Sequence, residues 1–458
     1  MWRGPSARSL VRMPDAPNQV RPTWLTDDVV ESVALGLVAP DEWVHRRVES
    51  ITFIDDETLL RRASVDFTVG FATPVIGDPA QSTRIVPVTL LRKRVLRAFD
   101  IRGADGRSLP ILTTRQNGEL ANAVLQYTVG AVAGSSIEAI VPELGRIATS
   151  PLADAQIVRS SLLTRLSSDP SMAALRSLAD NEIFSEFTQQ FAENFILAAL
   201  VDEADGRRAV LKFSYEEPAQ SSDVSRFERF TQAMGWSARE FRFDIPAAAT
   251  AQSYHVEIRA PEGVTFNGAA SFPRGVDHTT DDSESDFQPI GMSRRGQPLV
   301  HFHVQGEPTA NATVYIWLRI QREGWLRNAV FAMFAVAVLM VLNAWRLPTL
   351  LGGRQLGNSP GQAVSTDVAA LLMAVVALVL SFAIRLGEHP VTARTAVGVR
   401  IATIASAVLP LANGWLLAFG PTGRALQAAW WWAAIASVAL LVLVGFAYRG
   451  PSAVTPLP

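Results

Sequence analysis

The chain has 458 residues, a formal net charge of −2, 48% hydrophobic residues and no cysteine. This length favours two or three domains. The near-zero net charge argues against a nucleic-acid-binding protein, which usually carries a basic excess, so no nucleic-acid partner is expected. Without cysteine the chain has no disulfide, no thiolate nucleophile and no cysteine ligand for zinc. Hydrophobic residues are concentrated in the last third of the sequence.

The first 22 residues contain proline and arginine without hydrophobic periodicity, which predicts a disordered tail. They also lack the apolar core of a secretory signal peptide. A short helix is predicted next, over residues 24–37. Thr26, Asp27 and Asp28 offer N-cap chemistry at its start, and apolar residues follow at helical spacing.

A strand-rich stretch follows this helix. Apolar residues alternate with polar or small ones at Val65, Phe67, Val69 and Phe71. This period of two is typical of a half-buried strand. Further strands are predicted over residues 85–91 and 95–101, and Asp105-Gly106 is typical of a turn.

The pattern becomes helical between residues 117 and 235. Its clearest part is residues 172–201, where leucine, isoleucine and phenylalanine recur at steps of three and four. We expect one long helix there and another over residues 223–234.

Strand character returns at Phe241. Three stretches alternate in hydrophobicity: Tyr254, Val256 and Ile258; Val300, Phe302 and Val304; and Val314, Ile316, Leu318 and Ile320. Strands of this spacing predict a small antiparallel β-sandwich-like module. The acidic stretch 277–286 lacks the ligand spacing of an EF-hand, so it predicts an exposed loop rather than a calcium site.

Four apolar segments in the last third are long enough to cross a membrane: residues 328–345, 368–384, 397–419 and 425–448. About 20 apolar residues span the hydrocarbon core of a bilayer. Trp325, Trp345 and the tryptophan run 430–432 lie near the expected interfaces. The sequence therefore predicts a four-helix transmembrane bundle.

Arginine counts on the short flanks predict the orientation of these spans. Seven arginines flank one side: Arg319, Arg322, Arg327, Arg385, Arg394, Arg400 and Arg449. Three flank the other: Arg346, Arg354 and Arg424. The richer side is expected to be cytoplasmic. A multi-pass protein of the plasma membrane is predicted, with its N-terminal region and its C-terminus in the cytoplasm.

The predicted spans contain no aspartate, glutamate or lysine. Proton relays and ion pathways usually need such groups, so their absence favours an anchor or assembly bundle. Asn413 and Pro410 are the internal polar and kinking residues of note. They keep a transporter or channel-like protein open as the alternative.

Two groups of side chains are candidates for binding. His301 and His303 share one face of a predicted strand, and His255 lies on another, so three imidazoles could bind a divalent metal. Histidines on a solvated strand face are the commoner case, and no metal or cofactor is predicted. The densest basic run offers contact with lipid headgroups or a phosphate. Its members are Arg92, Lys93, Arg94 and Arg97.

Three segments follow one another along the N-terminal part of the chain: RRASVDFT at residues 61–68, VPVTLLRKR at 86–94 and Phe99-Asp100. With them, residues 20–120 resemble a group of uncharacterised bacterial membrane proteins that place a soluble region before C-terminal spans. The group has no known activity, so the resemblance implies an architecture and transfers no functional residue.

The sequence predicts an α+β soluble region followed by an all-α transmembrane bundle. The expected units are a tail (1–22), an α+β cytosolic domain (23–239), the β-sandwich-like module (240–322), the bundle (326–450) and a short tail (451–458). No catalytic motif is found, so we expect a membrane-anchored binding, sensing or scaffold protein rather than an enzyme. Its expected partners are the lipid bilayer and either another protein or a second copy of the chain.

Overall fold

The computed structural model describes residues 22–76, 83–133, 137–202, 206–221, 224–245, 251–273, 298–305, 312–352, 374, 376–377, 388–419 and 424–449. The strands are β1 (Val44–Phe53), β2 (Thr58–Thr68), β3 (Thr83–Arg92), β4 (Arg97–Arg102), β5 (Asn194–Asp202), β6 (Arg208–Pro218), β7 (Gln220–Ser221), β8 (Arg239–Ile245), β9 (Ser253–Arg259), β10 (Val264–Pro273), β11 (Leu299–Gln305) and β12 (Ala312–Ile320). The α-helices are α1 (Asp27–Val38), α2 (Thr114–Ala133), α3 (Val141–Thr149), α4 (Leu152–Ser168), α5 (Glu182–Glu193), α6 (Arg226–Ala233), α7 (Arg327–Gly352), α8 (Pro390–Thr395), α9 (Val397–Phe419) and α10 (Arg424–Arg449). The predicted order, an α+β soluble region before apolar helices, is confirmed.

Six strands form the central sheet, in the order β11-β9-β1-β2-β6-β4. Neighbouring strands are antiparallel except β1 and β9, which run parallel. A parallel pair cannot be joined by a hairpin and needs a long connection. Here that connection runs from residue 54 to residue 252 and includes helices α2 to α6. Strands from both sides of residue 240 therefore share one sheet.

Helices α1 to α5 pack around one hydrophobic core, to which β3 and β5 contribute Ile85, Ile196 and Ala198. The predicted first helix is confirmed as α1. Its N-cap is Thr26, whose hydroxyl accepts the N–H of Val29 at 3.4 Å. Capping satisfies a backbone donor that the first helical turn otherwise leaves unpaired.

The single helix predicted over residues 172–201 is wrong. A 3-10 helix (Pro170–Leu178) comes first, Asn181 then caps α5, and the chain continues as strand β5. Strand β5 pairs with β3 and buries alternate residues in two different cores. A strand buried on both faces has a continuous apolar run, which hydrophobic periodicity cannot distinguish from a buried helix.

Four strands form a second, antiparallel sheet in the order β10-β12-β8-β7. Its apolar face shares a core with β9, β11 and the end of β1. The ring of Phe53 contacts Phe241 and Phe243 there, with centroid distances of 4.9 and 6.3 Å. The strands predicted from alternation are confirmed as β9, β11 and β12. The acidic stretch 277–286 lies outside the described residues.

Three helices, α7, α9 and α10, are long and apolar enough to cross a membrane. Met333 near the start of α7 packs with Val444 near the end of α10, whereas Met340 further along α7 packs with Trp430. The two helices are therefore antiparallel. Three predicted spans coincide with these helices: residues 328–345, 397–419 and 425–448. The segment 368–384 lies largely outside the described residues.

The soluble region packs directly on one end of these helices. Strand β12 leads into α7 through residues 321–326, where Gly324 has a φ of 78°. Arg319, the penultimate residue of β12, donates a hydrogen bond to the carbonyl of Ala447 at 2.9 Å. Because C-terminal helix carbonyls lack partners within their own helix, a guanidinium donor stabilises the end of α10.

The short helix α8 forms a second contact between the two parts. The Nε2 of His389 donates to the carbonyl of Phe53 at 3.0 Å, and the hydroxyl of Thr392 donates to the carbonyl of Glu262. Both acceptors lie beside strands of the soluble region, at the end of β1 and in the β9–β10 turn. Two separate segments of the chain therefore fix the sheets to the bundle.

Candidate functional site

A buried chain of charged side chains runs across the central sheet. It begins at Glu49 on β1, which is completely buried between two arginines. Arg47 donates to one carboxylate oxygen with an Nε–Oε1 distance of 2.9 Å, and Arg61 donates to the other with an NH1–Oε2 distance of 3.0 Å. Burying a lone charge is strongly unfavourable, so Glu49 depends on both arginines.

The series of ion pairs continues from Arg61 toward the surface. The Nε of Arg61 donates to Glu217 on β6 at 2.9 Å, and its NH2 donates to the carbonyl of Asp244 on β8 at 3.0 Å. The second oxygen of Glu217 accepts from Arg94 at 2.7 Å. Arg61 therefore connects the central sheet to the second sheet, and Glu217 connects both to the loop after β3.

Burial and charge set the ionisation of this network. Burial pushes the pKa of Glu49 upward, but Arg47 and Arg61 outweigh it and hold the pKa below its ordinary value. Burial raises the pKa of Tyr215 to about 12. Burial, together with the charge on Glu49, raises the pKa of Tyr254 well above its ordinary value. At neutral pH the carboxylate is charged and both phenols are neutral.

The outer end of the network opens into a cleft of about 70 Å³ between the β3–β4 loop, the end of β6 and β8. Its charged lining consists of Arg61, Arg92, Arg94, Glu193, Glu217, Arg242 and Asp244. A space of this size holds a few water molecules or a small ion. The Nε atoms of Arg94 and Arg242 are buried, and neither finds a hydrogen-bond acceptor among the described residues.

The residues of the predicted basic run occupy different environments in the structure. Arg92 and Arg94 line the cleft. Lys93 instead donates to the carbonyls of Ile147 and Ser150 at the end of α3, at 2.6 and 3.0 Å. Burial lowers the pKa of Lys93 to about 8. Arg97 is exposed on β4, opposite Glu216 in the sheet register.

The predicted histidines do lie together, on the exposed face of β9 and β11. The ring of His255 stacks on His303 and on His301, with centroid distances of 4.3 and 5.3 Å and interplanar angles of 8°. Lone pairs in nearly parallel rings do not converge on one point. Within the part of the chain that the structure describes, no group of three or more His, Asp or Glu side chains is placed to hold a metal ion.

Burial, and then the charges of His303, Arg46 and His301, lower the pKa of His255. The lowered pKa favours the neutral form of His255, whose ring nitrogens lie within hydrogen-bond distance of His301 and Ser253. The Nδ1 of His255 lies 3.2 Å from the Nε2 of His301, and the Oγ of Ser253 lies 3.0 Å from the Nε2 of His255.

The two polar or kinking residues predicted in the spans both lie in α9. Pro410 is within the helix, where it removes a backbone donor. Asn413 is buried in the bundle, and its Nδ2 has no hydrogen-bond acceptor among the residues described there.

Comparison with protein-family models finds no match for this sequence, and comparison with curated proteins finds no similar one. The candidate site therefore rests on the geometry of the cleft and of the buried network behind it.

Replacing Glu49 with glutamine tests the buried network. Glu49→Gln leaves Arg47 and Arg61 without their shared counter-charge, so we expect a loss of about 3–5 kcal/mol in the free energy of unfolding at pH 7. Because the pKa of Glu49 is lowered in the folded state, its contribution is complete above its ordinary value of 4.5. It is lost as the pH falls through the lower, folded-state pKa.

Unfolding of the detergent-solubilised protein, followed by circular dichroism at pH 7 and pH 4, measures both effects. The exposed Glu42→Gln is the matched control and should unfold like the unaltered protein. Equal stability of the two variants at pH 7 would show that the network does not depend on the charge of Glu49.

Proposed function

We propose that this chain is a membrane-anchored binding module whose arginine-lined cleft takes a small anion bearing a phosphoryl or carboxylate group. The observation that carries the proposal is the pair of buried guanidinium Nε donors, from Arg94 and Arg242, that lack acceptors among the described residues. A buried donor without a partner costs about 1–3 kcal/mol. Both arginines line the cleft, so an anion bound there would offer oxygen acceptors to their guanidinium groups.

The charges around the cleft favour an anion over a cation. The lining has four arginines (Arg61, Arg92, Arg94 and Arg242) and three carboxylates (Glu193, Glu217 and Asp244). Both oxygens of Glu217 are already bonded to arginines. One oxygen of Asp244 accepts from Thr313 at 3.2 Å. Guanidinium groups present paired donors that match the oxygens of phosphate and carboxylate groups.

The proposed module is the α+β region with a β-sandwich-like unit over residues 240–322. Support for that unit comes from the core that β8, β10 and β12 share with β9 and β11, to which β1 and β2 also contribute. The anchor is a four-helix bundle. Helix α7 ends at Gly352, at the end of the bundle away from the soluble region. Residue 388 lies just before α8, and this short segment contacts the soluble region. The apolar segment 368–384 is proposed to make the return crossing, and Val376 packs in the bundle core.

We place the soluble region and the C-terminus in the cytoplasm, with the bundle in the plasma membrane. Six arginines lie on the segments at the end of the bundle next to the soluble region: Arg319, Arg322, Arg327, Arg394, Arg400 and Arg449. Arg346 and Arg424 belong to the opposite end. An excess of arginine on short flanks favours retention on the cytoplasmic side.

Cysteine labelling tests the orientation and the number of crossings, because the chain has no cysteine of its own. The variants are Ser160→Cys in the soluble region, Arg394→Cys beside it, and Arg346→Cys and Arg424→Cys at the other end of the bundle. With a membrane-impermeant maleimide on intact cells, we expect labelling of the second pair alone. The first pair should react only after lysis. Labelling of Arg346→Cys and Arg394→Cys from the same side would rule out the return crossing.

Phosphate titration tests the cleft. Inorganic phosphate should raise the unfolding temperature of the purified full-length protein, because ligand binding to the folded state stabilises it. Arg242→Gln removes a charge-assisted hydrogen bond of about 1.5–3 kcal/mol and should weaken phosphate binding about tenfold or more. Chloride at equal ionic strength controls for screening. Arg259→Gln, an exposed arginine on β9, is the matched control.

The expected result is a phosphate-specific rise in the unaltered protein and in Arg259→Gln that is lost in Arg242→Gln. Acetate or citrate in place of phosphate separates carboxylate from phosphoryl recognition. Equal effects of phosphate, the carboxylates and chloride on all three proteins would contradict an anion site in the cleft.

A further inference from the structure

Helix α6 exposes two phenylalanines beside the membrane helices. Phe227 is 72% exposed and Phe230 is 52% exposed, and no residue of α6 is buried. The helix is nevertheless well defined at its start, because Ser225 and Glu228 form a reciprocal capping box. A contiguous exposed apolar surface rimmed by polar residues is typical of a site that contacts a partner or a membrane.

A hydrogen bond just after α6 shows where this helix lies along α10. The indole Nε1 of Trp236, just after α6, donates to the carbonyl of Leu443 in α10 at 2.9 Å. Leu443 lies six residues before the end of α10 at Arg449, or about 9 Å along the helix axis. This depth corresponds to the interfacial layer of a bilayer, where tryptophan is enriched.

A row of aromatic rings connects α6 to the outward face of the span. Phe230 contacts Trp236 edge to face with a centroid distance of 5.7 Å, and Trp236 contacts Phe446 at 6.4 Å. Phe446 is 60% exposed on α10, a helix that is apolar enough to span a membrane. The exposed apolar surface of α10 is therefore continuous with that of α6.

The polar residues of α6 fit the same placement. At about 100° per residue, Phe227 and Phe230 lie about 60° apart on the helix, and Arg226 and Arg229 follow on the adjacent side. Both arginines are exposed. Long basic side chains beside an inserted apolar face reach lipid phosphates while their stems stay in the apolar layer.

We propose that α6 is an interfacial helix that lies in the lipid headgroup layer, with Phe227 and Phe230 inserted toward the acyl chains and Arg226 and Arg229 at the phosphates. The occupant of this surface is the bilayer itself, because the aromatic row leads into it from α10. The soluble region then has a membrane contact of its own, separate from the chain connection at residues 321–326. This contact prevents it from tilting away from the membrane.

The test uses the full-length protein in lipid vesicles, with single cysteines carrying an environment-sensitive fluorophore. Phe227→Cys probes α6, Phe446→Cys is the positive control on the span, and Ser160→Cys on the exposed side of α4 is the negative control. Lipids brominated on the acyl chains quench a fluorophore that lies among them. We expect strong quenching and blue-shifted emission for Phe227→Cys and Phe446→Cys, and neither for Ser160→Cys.

Quenching of Phe227→Cys that equals that of Ser160→Cys would overturn the proposal. A blue shift without bromolipid quenching that grows with the protein-to-lipid ratio would also overturn it, because a second copy of the chain would then cover α6. At position 227 the apolar fluorophore takes the place of the phenylalanine ring and Phe230 is retained, so each outcome reports the position of α6. All of these outcomes are independent of the anion cleft.

Discussion

The short connection between β12 and α7 restricts how the soluble region can be oriented relative to the apolar helices. Only residues 321–326 separate β12, in the second sheet, from α7, the first of the helices apolar enough to cross a membrane. Arg319, at the end of that strand, donates to a carbonyl at the end of α10. The second sheet is therefore fixed against the bundle. Because its apolar face shares a core with β9 and β11, the central sheet is fixed as well.

The buried ion pairs link the two sheets to the cleft. Arg61 donates to Glu49 and Glu217, which belong to the central sheet, and to the carbonyl of Asp244 in the second sheet. Such a network contributes little net stability compared with apolar packing, but breaking one member is costly. We infer that its value lies in position. It holds the side chain of Arg94 against Glu217, at the wall of the cleft.

Periodicity predicted the parts of the fold in which hydrophobicity and burial agree, namely β9, β11, β12 and the membrane helices. It could not predict Arg47 and Glu49, which occupy buried positions of β1 although their chemistry indicates solvent. Nor could it predict that Arg242 and Arg94 line the same cleft, since that depends on how distant strands pair. The local basic run pointed to half of the cleft, because Arg92 ends β3 and Arg94 follows it in the next loop.

Disulfide cross-linking tests most directly whether the soluble region is packed on the bundle. A Cβ at Gly263 would lie 3.7 Å from the Cβ of Thr392 in α8. Disulfides need a separation of about 3.8 Å between these atoms. In this cysteine-free chain, Gly263→Cys with Thr392→Cys should lose both thiols on mild oxidation and recover them on reduction, as counted by PEG-maleimide. Gly106→Cys with Thr392→Cys, in which Gly106 also has positive φ but no neighbour within 4 Å, should keep both. Two reactive thiols in the first pair after oxidation would contradict the packing on which this account depends.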